Sequence, residues 1–207
     1  MLKMKVFALL SVLVLGTAAA HADPLSGYFS AVGTDQFTSS TITFDWAVVA
    51  GSVSGDFQPY ITTGTPINFL PGSLPYTQGA DNVPPFPGGI VPLFTINGSG
   101  GEVFTFQMSN YSASYITDGS SGCGAGSICL NATGTGYFDA TGPLTGQSGT
   151  AVFIFTSQYA PGATTADMTT FSASSSAMAP TPEPQSLALV GSGLLAVAGF
   201  ARRRFNV

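Results

Sequence analysis

Ile42, Phe44, Trp46 and Val48 alternate with Thr43, Asp45 and Ala47, a period of two that sets one face of a strand on a core and the other in water. On that phase Trp46 belongs to the core. Phe104, Phe106 and Met108 repeat the pattern around Thr105 and Gln107, whereas Val152-Phe153-Ile154-Phe155 is apolar on both faces, as a strand covered on two sides would be. Further strands are expected over Val91 to Ile96, Ile128 to Thr133, Gly136 to Ala140 and Met168 to Ala173, separated by glycine pairs such as Gly88-Gly89 and Gly100-Gly101. No amphipathic stretch of helical length and no repeat of fixed period lies between the two ends. The pattern predicts one all-β domain over residues 23–173, an antiparallel β-sandwich of jelly-roll or immunoglobulin-like kind. The span from Asp23 to Ala179, roughly 157 residues, is enough for a single core.

The ends have a different texture. Lys3 and Lys5 precede an apolar run from Val6 to Leu15 and then Ala20-His21-Ala22, the basic, apolar and A-x-A parts of a signal peptide. Residues 1–22 are therefore expected to form a signal helix that is cut between Ala22 and Asp23. At the other end Pro182-Glu183-Pro184 stands before an uncharged apolar block, residues 186–201, and the cluster Arg202-Arg203-Arg204. As a helix the block would be roughly 24 Å long, somewhat short of a hydrocarbon core of ~30 Å. The arginines favour the cytoplasmic side and stop transfer there. Residues 174–181, rich in Ser and Ala and ending in Pro180-Thr181, are expected to be a flexible spacer.

The order Pro-Glu-Pro, apolar helix, arginine cluster resembles the PEP-CTERM sorting signal of Gram-negative bacteria, over about the last tenth of the chain. The resemblance implies that Pro182, Glu183 and Pro184 are recognised by exosortase, a membrane-embedded processing enzyme. It also implies a transient stay in the inner membrane, then release to the envelope or extracellular matrix, in company with exopolysaccharide and biofilm systems.

Charge narrows the chemistry of the body. All five basic residues lie in the two terminal segments and the only histidine is His21, so nothing from Asp23 to Ala179 is Lys, Arg or His. Of ten acids only Glu183 lies beyond that span, which leaves nine in the body. Ion pairs within it are ruled out, and so is nucleic-acid binding, which needs cations against phosphate. Ser-His-Asp and Cys-His catalysis lack their base. Asp45, Asp56, Glu102 and Asp139 could supply a carboxylate pair, yet no motif joins any two, and the expectation is a protein that is not an enzyme. Asp35, Asp81, Asp118, Asp139 and Asp167 read as turn and cap residues. Abundant oxygen ligands leave calcium open as a cofactor, without an EF-hand-like spacing to hold it; no other cofactor or metal is expected. Cys123 and Cys129 bracket a glycine-rich turn, and in an exported chain they should form one structural disulfide worth about 2 kcal/mol.

Residues 59–92 hold eight of the fourteen prolines. Proline cannot donate to a central ladder, so the segment is expected to be a long loop or irregular covering over an edge of the sheet. Tyr60, Tyr76, Asp81, Asn82 and Phe86 within it are the candidate ligand residues. Two functions follow. One is an exported, non-catalytic surface or matrix protein sorted through its tail. The other is a secreted carbohydrate-binding module that uses this loop, with calcium in support.

Overall fold

A computed structural model describes residues 24–82, 89–117, 122–164, 167–179 and 193–194. The signal helix expected from the sequence falls outside these residues, as does the C-terminal helix except for Gly193 and Leu194, which are helical; among the described residues no helix is long and apolar enough to cross a membrane. The body is all-β and antiparallel. Its strands are β1 (Gly27–Phe37), β2 (Thr41–Val53), β3 (Pro66–Phe69), β4 (Leu74–Pro75), β5 (Asp81–Asn82), β6 (Val91–Asn97), β7 (Val103–Ile116), β8 (Ile128–Thr141), β9 (Ser148–Tyr159) and β10 (Thr169–Met178).

The sandwich expected from the sequence is not what forms. Strand β1 pairs with β10 from Gly27↔Ala177 to Asp35↔Thr169 and with β2 on its other side. The order β1-β10-β9-β8-β7-β6-β3-β2 therefore returns on itself as a closed eight-stranded barrel, with β4 appended to β2 and β5 to β7. Alternation does not separate the two architectures, because each needs one inward and one outward face per strand. Closure removes the sheet edges that a sandwich would leave open. The two short runs expected at Ile128 to Thr133 and Gly136 to Ala140 are one strand. Gly136 sits within it because a Cβ there would lie 1.9 Å from the Gln107 carbonyl oxygen, opposite the irregularity between Met108 and Asn110.

Eight phenylalanines are fully buried, so the lumen is filled with side chains rather than open to a ligand. Phe94 is central: its ring lies 5.4 Å from Phe106, 5.2 Å from Phe153, 6.0 Å from Phe138 and 6.3 Å from Phe29. The proline-rich segment closes the ring. Its β3 pairs with both β2 and β6, and Phe69 stacks on Phe44 of β2 at 3.9 Å between centroids.

Three strands depart from the sequence pattern. In β2 the register shifts between Thr34↔Trp46 and Asp35↔Phe44, leaving Asp45 as the extra residue of a bulge. Beyond it the phase is reversed: Ala47 and Val49 point in, and Trp46, expected in the core, is 50% exposed. Of the run Val152 to Phe155 in β9 only Phe153 and Phe155 face the core; Ile154 is 48% exposed, because a barrel strand has one covered face, not two. The residues expected to begin a spacer, Ser174 to Met178, are the second half of β10, paired with both β1 and β9. Ser175 and Ala177 are buried there.

All pairings being antiparallel, the chain leaves the barrel at the rim where it entered. Pro24 and Met178 lie at that near rim, beside the turns after β2, β6 and β8. The far rim carries the β1–β2 turn, the proline-rich segment, the disulfide loop and the β9–β10 loop. Phe94→Ala should lower stability by about 3–5 kcal/mol in urea unfolding, and Phe94→Leu by less, because the filled lumen cannot collapse around the lost ring.

Candidate functional site

The loop residues singled out from sequence do not gather. Tyr76 is buried and its hydroxyl donates to the Thr38 carbonyl at 2.6 Å, tying β4 to the β1–β2 turn. Tyr60 is half-buried with its ring 6.0 Å from Phe104. The Asn82 amide donates to the Ala80 carbonyl at 2.9 Å, and its Oδ1 accepts from the Thr77 N–H at 2.7 Å. Asp81 is exposed in β5, and Phe86 lies outside the described residues. On the barrel side of the same segment the Tyr111 hydroxyl donates to the Pro75 carbonyl. These contacts seal the gap between β4 and β7.

Several acids act on backbone N–H groups. Asp56 accepts from the Ser26 N–H at 2.7 Å, Glu102 from the Gly100 N–H at 3.0 Å, and Asp167 from the Thr164 N–H at 2.8 Å. Asp45, on the bulge, accepts from the Thr34 hydroxyl at 3.0 Å. Among the described residues no three His, Cys, Asp or Glu side chains gather where they could hold a metal ion.

Cys123 and Cys129 are bonded, with Cα atoms 5.7 Å apart, and Cys129 is paired with Ile116 at the far end of the β7–β8 ladder. The disulfide loop folds over the outside of the barrel. Beneath it is a cleft of about 380 Å³. Asn131 of β8, Thr156 and Gln158 of β9, and Thr170 and Ser172 of β10 form its floor, all on the outward phase. Gly122, Cys123 and Cys129 form its wall. Sequence reasoning missed this cleft, since it depends on the register of three successive strands and on how the loop before them folds.

Behind the floor, on the inward phase, lies a carboxyl read from sequence as turn chemistry. Asp35 is instead fully buried within β1, near its far end. The alternation Phe29, Ala31, Gly33, Asp35, Phe37 was the available signal, because it puts Asp35 on the core face. Its Oδ1 accepts from the Ser157 hydroxyl at 2.7 Å, and its buried Oδ2 has no hydrogen-bond partner. Burial pushes the Asp35 carboxyl up to about 7, partly offset by the Ser157 bond. Nearby, the Tyr159 hydroxyl bonds the Phe37 backbone, accepting from its N–H at 2.9 Å and donating to its carbonyl at 3.1 Å. Burial also raises Asp139, with a hydrogen bond from Gln107 opposing it.

Residues 180–204 match the family model of the PEP-CTERM protein-sorting motif. The chain thus carries the sorting signal of exported proteins that exosortase processes and that end in the cell envelope or outside it. Pro182-Glu183-Pro184 and Arg202-Arg203-Arg204 fall within the matched stretch, outside the described residues, as do Ala20, Ala22 and Asp23 at the expected signal cleavage site. No curated protein and no solved structure matches the chain.

The Asp35 geometry sets a pH dependence. An unfolded Asp ionises near 3.8, whereas the folded carboxyl holds its proton to about 7. Between those values the unfolded chain binds fewer protons at this site, so the contribution of Asp35 to stability is fullest below about 4 and falls as pH rises towards 7, by up to about 4 kcal/mol. Asp35→Asn should flatten this slope. Urea unfolding at pH 4, 5.5 and 7 measures it, and an equal slope in both proteins would refute the assignment.

Proposed function

We propose that the barrel is a non-catalytic surface or matrix protein, released by exosortase into the envelope or extracellular polymer layer of a Gram-negative cell and retained there with exopolysaccharide. The observation that carries this reading is the absence of slack between body and signal. β10 ends at Met178 and the matched motif begins at residue 180. From Met178 to Pro182 the chain covers four peptide steps, at most about 14 Å. Before processing, the near rim must therefore stand against the membrane and the far rim must face outward. Entry and exit on one rim serve such delivery, since the barrel is cut loose without breaking a strand. A body free of Lys, Arg and His adds support, because it lacks the general bases and cationic electrophiles common to hydrolases.

A second reading, a secreted carbohydrate-binding module, calcium-assisted or not, is favoured by one feature, the uncharged cleft beneath the disulfide loop. Its ligand residues are then not those of the proline-rich segment.

Mass spectrometry of the protein recovered from its native host tests the sorting reading. The mature chain should begin at Asp23, end near Pro182-Glu183-Pro184 and keep all of β10. Replacing those three residues with alanine should hold the uncut chain in the inner membrane. A wild-type chain that still ends in Val207 and stays in that membrane would overturn the proposal.

A further inference from the structure

We propose that the outer wall formed by β8, β9 and β10 binds an uncharged saccharide chain laid along β9, with one end in the cleft beneath the disulfide loop. This deepens the carbohydrate-binding reading above and rests on it, while standing apart from the sorting reading. The wall is ordered by the ladder. Ser172, Thr156 and Asn131 stand side by side across the three strands, followed by Ser174, Ile154 and Thr133, and then Ser176, Val152 and Thr135. The centre line along β9 is thus apolar at Val152 and Ile154, and each flank is a row of hydroxyls ending in the Asn131 amide. From Thr150 to Gln158 it runs about 27 Å.

Its chemistry is specific to neutral sugars. A pyranose ring offers an apolar C–H face and an edge of hydroxyls that both donate and accept. Ile154, 48% exposed in the middle of a wall otherwise lined with hydroxyls, suits the first. The Asn131 and Gln158 amides and the Thr170 and Ser172 hydroxyls suit the second, because each combines donor and acceptor. Among the described residues no titratable side chain lines the cleft. Anionic polymers find no cation there, and nine carboxylates repel them. Between Gly122 and Ser127 the loop carries only the Cys123 and Ala125 side chains, and the disulfide ties it to the start of β8. The cleft volume of about 380 Å³ falls within the range of small-ligand sites. In the ring β9 lies diametrically across from β3, so this wall and the proline-rich segment are separable by mutation. Trp46, on β2, lies a quarter of the ring beyond β10 and faces elsewhere.

The test is calorimetric titration of the full-length chain, in a sugar-free detergent, with cellohexaose, maltohexaose, laminarihexaose and an alginate hexamer. At least one neutral hexasaccharide should bind saturably and the alginate should not. Asn131→Ala with Gln158→Ala should weaken binding at least tenfold, as should Ile154→Asp. Ser172→Trp, which fills the floor from an exposed position, should abolish it, so the result does not hang on one variant's folding. Trp46→Ala and Tyr60→Ala should leave affinity unchanged. Binding that survives all three wall changes, or that depends on Trp46 or Tyr60, overturns this site while leaving a carbohydrate-binding protein. Silence with every neutral hexasaccharide overturns both, and neither result bears on processing of the tail.

Discussion

The pairing of the first long strand with the last holds this protein together. β1 runs antiparallel to β10 over nine register positions and to β2 on its other edge. Without that seam the remaining strands would form an open sheet with two edges and an exposed aromatic face. No ion pair can reinforce it, because the body has no cation. Cohesion comes from a continuous ladder and from a lumen packed with phenylalanine, where the hydrophobic effect supplies the main favourable term. The contact is also the most non-local in the chain, Gly27 with Ala177. Such closure is slow to form and cooperative once formed.

Closure explains the polarity of the molecule. Eight antiparallel strands return the chain to its starting rim, so the segment that is exported first and the segment that is sorted last leave side by side. At the near rim Asp56 and Glu102 bond to backbone N–H groups of Ser26 and Gly100. The disulfide loop, the β9–β10 loop and the stretch between β3 and β6 lie at the far rim. The disulfide belongs to that far set and pins a glycine-rich turn that has few apolar contacts of its own.

Two features run against the economy of a plain barrel. A carboxyl with one unpartnered oxygen is buried at Asp35, and a bulge one strand away turns Trp46 outward. They are neighbours, since the shift lies between the pairs Thr34↔Trp46 and Asp35↔Phe44. Removing the bulge would carry Trp46 towards a lumen already filled by Phe44, Phe155 and Phe171, whose rings lie 5.0 to 5.9 Å apart. Overpacking of that kind destabilises a core as surely as a cavity does.

The local properties of this protein were legible in its sequence. One-sided strands, antiparallel all-β character, the Cys123–Cys129 bond and the sorting tail each depend on residues close together in the chain. The proline-rich segment, read as a loop or a covering over a sheet edge, instead supplies a strand of the closed ring, β3 with Phe69. Pairing in the folded chain decided the rest: a barrel in place of a sandwich and Ser174 to Met178 as strand rather than spacer through the distant β1–β10 seam, Trp46 outside through a bulge against the neighbouring β1, and a cleft through the register of three successive strands and a loop. The physical reason is that a period of two says only that a strand has two faces. Which face is covered, and where a bulge reverses the phase, is settled by the strands that pair with it, and for β1 one of the two begins more than a hundred residues away.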